Sequence, residues 1–445
     1  MWERLRSIWT IPDLRKKILF TIAMLLIFRV LAHITVPLSP AEQKALTGLF
    51  SGSGGNQNLG QLLGLLDVFS GGSLQQFSIV AMGVYPYITA TIVMQLLQPI
   101  IPALENMMRE GEAGRLKFSQ ITRIITVPLA FLQALGQAAI FERANVLSNF
   151  NLFSSQFWLE SLAILITLTT GTMILVWLGE LITENGIGNG ISIIIFGGIV
   201  SRIPSFIQSG FTASSSSGSG GGIVSIAVFL LIGLITIVGI VYIYQGQRRV
   251  PIEYPTKRMV GRGMLVGTAQ RTYIPMQVNS AGMIPLIFAQ SMLIFPAVLS
   301  QYLVGSNTGW LQALATWVGT NIANTALWYY WGIYFVLVVA FTYFYAYVVW
   351  QQQNIPDNLQ KQGAHIPGYR PGETTRRYLN EILNRITLAG ALFLGVVAIL
   401  PFIARVGGNQ LLSSAALLIV VGVVLDTVRQ IEAQMVMRNY SGFLT

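Results

Sequence analysis

The sequence predicts an all-α polytopic membrane protein with ten transmembrane helices. Three observations predict it. Hydrophobic residues make up 53% of the 445, and mean hydropathy is +0.62. Only 10% are charged, against roughly a quarter in a soluble chain. And ten continuous apolar runs approach the roughly 20 residues that a helix needs to cross the hydrocarbon core. Such a chain cannot clothe a water-facing surface, which excludes a soluble enzyme and a disordered tail. The runs are too long and unbroken for barrel strands.

In order, the expected spans are about 18–37, 77–98, 121–141, 157–179, 187–206, 223–244, 279–300, 328–350, 382–403 and 411–428. No small-residue cleavage site follows the first run, so it is expected to remain a span rather than a removed leader. Lys and Arg set the orientation. With the N-terminus in the cytosol, 22 of the 27 basic residues fall on cytosolic segments. Lys44, Arg143, Arg202 and Arg405 fall on the other side, and Arg29 lies inside the first span. That bias predicts both termini in the cytosol.

Between the first two spans, residues 62–69 form an apolar run too short to cross, broken by Ser70-Gly-Gly-Ser73. It reads either as a helix lying on the surface or as a re-entrant half-helix that stoppers a central cavity. Two long basic cytosolic loops follow later, 245–278 and 351–381, the second rich in Pro and Gly. The exported stretch 209–222, dominated by Ser and Gly, is expected to be a flexible linker. Five spans precede it and five follow. Because five is odd, a second half similar to the first lies upside down in the bilayer. Gly83-Val-Tyr-Pro86 and Gly282-Met-Ile-Pro285 echo one another at spans two and seven, with Pro99 and Pro296 near the far ends.

The spans carry almost no ionisable groups, whereas active transport needs them near the midplane. Arg29 is the deepest charge; no acid in its own segment pairs with it, which favours a helix–helix contact over a functional charge. Glu160, Glu180 and Asp426 sit near span ends. There is no phosphate-binding glycine loop, no zinc-protease motif and no Ser/His pairing at depth. Cysteine is absent and His33 and His365 are the two histidines, so thiol chemistry is excluded, and no metal or other cofactor is expected. A pore without charged sites suits a passive conduit driven from outside. The alternative is a secondary transporter of a small solute, which should show paired midplane carboxylates and short loops.

Several segments resemble the SecY family, the channel subunits of the bacterial Sec protein translocon. They are Glu110-Gly-Glu-Ala-Gly-Arg-Leu-Lys-Phe-Ser-Gln120 and the run Gly171-Thr-Met-Ile-Leu-Val-Trp-Leu-Gly-Glu180 through Asn185-Gly-Ile-Gly-Asn-Gly190 to Phe196. Phe69-Ser-Gly-Gly72, Gly246-Gln-Arg-Arg249, Pro367-Gly-Tyr-Arg-Pro-Gly-Glu373 and Arg385-Ile-Thr-Leu-Ala-Gly-Ala391 are similar in the same order. The resemblance runs from about Ile11 to the end of the chain.

It implies two inverted five-helix halves, 1–206 and 223–428, joined by 207–222 and followed by a cytosolic tail, 429–445. It implies a pore constricted by Val84, Ile88, Ile191, Ile195, Ile287 and Ile419, with Val84 replacing the more usual isoleucine. A plug of about 62–72 includes Leu65, Leu66, Phe69, Ser70, Gly71 and Gly72. Thr89, Gln133 and Asn279 correspond to a polar cluster at a lateral gate between spans two and three on one side and seven and eight on the other. Arg248, Arg249, Lys257, Arg258, Arg262 and Arg370 fall in loops that dock the SecA motor and the ribosome. Arg262 stands beside Gly263, where the family often has a second basic residue. The implied partners are SecE and SecG, SecA, the ribosome, signal-bearing preproteins and the lipid bilayer. The implied place is the bacterial inner membrane, and the implied activity is conduction, not catalysis.

Overall fold

The computed structural model describes residues 11–36, 39–50, 67, 70–143, 146–147, 158–216, 221–260, 264–282, 284–303, 309–321, 327–353, 355–370, 372–403 and 414–441. The helices, in order, are α1 (Pro12–His33), α2 (Pro40–Phe50), α3 (Tyr85–Leu97), α4 (Pro102–Arg109), α5 (Glu112–Arg143), α6 (Trp158–Asn185), α7 (Gly190–Ser216) and α8 (Gly221–Gln245). After strands β1 (Gln247–Val260) and β2 (Met264–Gln277) come α9 (Ile284–Leu303), α10 (Gly309–Asn321), α11 (Trp328–Gln353), α12 (Ile355–Lys361), α13 (Glu373–Ile403) and α14 (Ser414–Ser441).

Each of the ten apolar runs holds a helix. Among the described residues, four stretches suffice by length and composition to cross a membrane: Glu112–Glu142, Trp158–Asn185, Trp328–Lys361 and Glu373–Leu400. A fifth is possible if Tyr85–Leu97 and Pro102–Met108, bent by 104° at their junction, count as one span. The break follows from Pro99 and Pro102, whose rings cannot continue a helix. Pro12, Pro86 and Pro102 open their helices in the first turn, where the missing N–H is unneeded. Polar residues within the helices satisfy themselves locally. Thr122, Thr126, Thr169 and Thr342 each donate to the carbonyl four residues back, as hydrocarbon surroundings require.

Several expectations need correction. The second span does not begin at 77. Residues 70–84 form successive turns, and helix begins only at Tyr85. Ser73 and Ser78 close those turns, and Phe77 adopts a left-handed φ of 46°. Phe77 is held there by complete burial and an edge-on contact with Phe141. The Ser/Gly linker is shorter than expected: helix runs through Ser216 and resumes at Gly221. Nor is the chain wholly α. The first basic loop is an antiparallel hairpin paired from Gln247↔Gln277 to Val260↔Met264. Its residues Val250, Ile252 and Tyr254 alternate toward an apolar cluster while Arg249 and Pro251 face out, the period of two that a half-buried strand requires.

The inverted echo has a backbone counterpart. Gly83 and Gly282 have φ of 58° and 65°, two residues before α3 and α9, and Pro86 and Pro285 are the second residues of those helices. A side chain is disfavoured at such φ, so glycine sets the entry angle in both places.

Three apolar clusters organise the molecule. The largest draws on α1, α3, α6, α7, α8, α9, α11, α13 and α14. A second joins α2, the 70–84 turns, α5 and α6. The third ties the hairpin to α11, α12 and α13.

Candidate functional site

The six aliphatic residues expected at the constriction all belong to, or pack against, one apolar cluster. Val84, Ile195, Ile287 and Ile419 are buried within the largest cluster, and Ile88 and Ile191 pack against it. They come from four helices and from both halves of the sequence. Ile191 and Ile195 lie one turn apart on α7 and so share a face, while Val84 is the residue just before α3 and its carbonyl accepts from the Ile88 N–H of the first turn.

The three seam residues do not form one group. Gln133 on α5 donates its Nε2 to Thr89 Oγ1 on α3 at 3.3 Å. Thr89 in turn donates to the carbonyl of Tyr85. Asn279 instead donates to Gly282 O at 3.1 Å, closing its own turn before α9. Its amide nitrogen is used in shaping the left-handed Gly282 entry, while its Oδ1 is buried without a hydrogen-bond partner. A bond that does cross between the halves is Tyr85 Oη to the Ser291 carbonyl on α9 at 3.4 Å. Around it α9 packs on both α5 and α3.

Of the residues expected in the plug, Leu65, Leu66 and Phe69 lie outside the described residues, whereas Ser70, Gly71 and Gly72 lie within them. Ser70 Oγ donates to the Asp67 carbonyl, and Gly72 N donates to the same oxygen. Gly71 lies against Gly198 of α7: a Cβ there would stand 2.6 Å from Gly198 Cα. Arg29 donates from Nη1 to Gly71 O and to Ser201 Oγ, 3.2 Å each. The deep charge of the first span thus joins α1 to both α7 and this turn. Asp67 is fully buried and paired with Arg202 of α7.

Of the docking residues, Arg248, Arg249 and Arg370 are exposed. Arg249 also stacks over the Tyr273 ring at 4.8 Å. For Lys257 and Arg258 the structure describes only backbone positions on β1, opposite Gly267 and Val266. Arg262 lies outside the described residues. Arg370 is presented by a turn in which Gly368 and Gly372 have φ of 86° and 106°. Its carbonyl accepts from Thr374 and Thr375, which anchors the turn to the start of α13. The two basic loops are one body. Glu253 of β1 and His365 exchange both backbone hydrogen bonds, at 2.9 and 3.0 Å. The Glu253 carboxylate also accepts from Arg271 Nε at 2.9 Å.

Comparison with known proteins decides what this arrangement belongs to. The SecY family model matches residues 78–428. The chain belongs to the SecY family. Relatives named protein translocase subunit SecY include those of Streptomyces galbus, 41% identical over 443 residues, and Mycobacterium bovis, 42% identical over 445. Each match covers 97% of both chains. Among solved structures, "The structure of a protein conducting channel" has a TM-score of 0.61 at 16% identity, covering 95% of this chain and 93% of that one. Sec61 in the canine ribosome–channel complex has a TM-score of 0.57 at the same identity, with the same coverage. At that identity the structural likeness carries the fold, and the curated relatives carry the family.

Sequence reasoning missed Asp67, Glu253 and His365, and read Arg202 only as an exported charge. A signal for the first was present: Asp67 is the one acid in the apolar run 62–69, and a buried acid calls for a partner. The partner lies 135 positions away, which no local pattern reveals.

Proposed function

We infer that this chain is the protein-conducting channel subunit of a translocase, resident in a membrane and not an enzyme. Nothing in its family or fold supports a small-solute transporter. Within that reading, we propose ten spans in two inverted halves, with both termini in the cytosol of a bacterial inner membrane. The single observation that supports it is the membership of Val84, Ile88, Ile191, Ile195, Ile287 and Ile419 in one apolar cluster built from both halves of the sequence, four within it and two packed against it.

The physics follows from the chemistry of that cluster. An apolar bottleneck of molecular width dewets, and an ion cannot shed its hydration shell to pass. Branched aliphatic chains offer no fixed polar contacts, so they part around any unfolded polypeptide regardless of its sequence. The segment about 62–72 stoppers the exported side. The contact of α9 with α3 and α5 is the seam through which apolar segments leave for lipid. The hairpin and the turn at Arg370 are the face that receives SecA and the ribosome. Their positive charge suits RNA phosphates and acidic protein surfaces. SecE and SecG complete the assembly in lipid, and signal-bearing preproteins are the cargo.

A photoreactive side chain placed singly at Ile88, Ile195, Ile287 or Ile419 tests this. Each should cross-link to a precursor stalled in transit, while one at Leu168, buried in the second cluster, should not. Labelling from Leu168 and none from the four would remove the cluster from the path.

A further inference from the structure

We propose that Asp67 and Arg202 form a charge latch that holds Asp67 and the turns at 70–75 against α7 and sets how readily the pore opens. The inference rests on the reading of 62–72 as a plug.

Asp67 is fully buried, and its Oδ2 pairs with Arg202 Nη1. Its Oδ1 accepts from the Gln75 backbone N–H at 2.9 Å. Arg202 extends the same grip through Nη2 to Gln75 Oε1 at 3.1 Å. One guanidinium thus spans both ends of the turn. The approach of Gly71 to Gly198 brings the backbones into contact beside the pair, and a side chain at either position would force them apart. Arg29 pins the middle of the turn through Gly71 O.

A buried ion pair gains little over an apolar pair of the same shape, but breaking it while one partner stays buried is costly. The turn therefore cannot shift by a small amount: it stays, or it moves far enough for the buried Asp67 carboxylate to meet water. That makes closure all-or-none. Asp67 and Arg202 are positioning residues, acting on the pore through the segment they hold.

The test uses the full-length chain with the small subunits that copurify, reconstituted in liposomes, with resting ion flux as the readout. Asp67→Asn keeps the shape and removes the charge. It should raise flux by about tenfold, within the usual span of coupling between sites. Arg202→Gln should do the same, and the double variant should leak no more than either single. Arg202→Lys, which retains the charge, should restore most of the closure. Thermal unfolding midpoints are measured in parallel, because a merely structural role would lower them without this pattern of non-additivity and rescue. Should Asp67→Asn fail to insert, Arg202→Lys and Gln75→Leu carry the test, with small and intermediate leaks expected.

Deletion of 62–72 separates the two readings. Leak from the deletion but wild-type flux from D67N and R202Q overturns the latch and leaves the plug standing. Wild-type flux from all three overturns the plug and the latch with it. Strictly additive leaks from the two single variants also overturn the latch.

Discussion

Replacing Ile195 with Asn should open the resting channel to ions. Ile195 is 3% exposed in the largest cluster, alongside Ile191 on the same helix. Truncating a buried isoleucine costs about 2–5 kcal/mol in lost packing. A buried amide without a partner adds about 1–3 kcal/mol. The second cost disappears when the pore is wet, because water satisfies the amide. The substitution therefore raises the closed state against the open one by about 1–3 kcal/mol, a roughly five- to hundredfold gain in open fraction. Ile195→Val removes one methylene, costs about 0.5–1.5 kcal/mol and leaves the bottleneck dry. Leu168→Asn introduces the same amide into the second cluster and should lower stability without raising conductance. The assay is single-channel conductance in planar bilayers. Equal conductance for I195N and I195V, or a larger rise for L168N, would refute the assignment of this cluster to the conduction path.

Three further outcomes follow from the geometry. Arg370→Glu should impair motor-driven export from membrane vesicles while the protein still inserts, because the Gly368–Gly372 turn holds Arg370 outward; normal export would count against a docking role. Tyr85→Phe removes the hydrogen bond to Ser291, worth about 0.6 kcal/mol in membrane proteins, so release of a weakly apolar span into lipid should rise roughly threefold; unchanged release would mean this bond does not hold the seam. Ile252→Ala empties a site in the cluster that ties the hairpin to α11, α12 and α13 at about 2–5 kcal/mol and should expose the 247–277 hairpin to proteases; resistance equal to the wild type would show that the hairpin is held otherwise.

What the sequence made legible was whatever depends on composition and local period. The apolar runs show themselves because lipid tolerates few charges, and each holds a helix. The aliphatic positions at the constriction came from resemblance, since Ile and Val in a membrane span carry no mark of their own. The hairpin was hidden because its basic residues dominate the composition of 245–278, masking the alternation at Val250, Ile252 and Tyr254. The turns at 70–84 were hidden because Ile79, Val80 and Ala81 read as span. Only the left-handed backbone at Phe77 and Gly83 shows that helix begins later. Asn279 illustrates a different limit. Its polarity was plain, but whether an amide reaches across a seam or back to its own turn depends on a backbone direction set by Gly282. Asp67–Arg202 and Glu253–His365 join distant segments, and nothing in the spacing of either pair announces it.

The most direct measurement is protease protection of a signal-bearing precursor added to proteoliposomes of this chain, its small subunits and the motor. The account predicts that full-length precursor becomes resistant only when ATP is present, and that it becomes sensitive again once detergent opens the vesicles. Vesicles that never shelter the precursor, yet accumulate a small solute against its gradient, would contradict it.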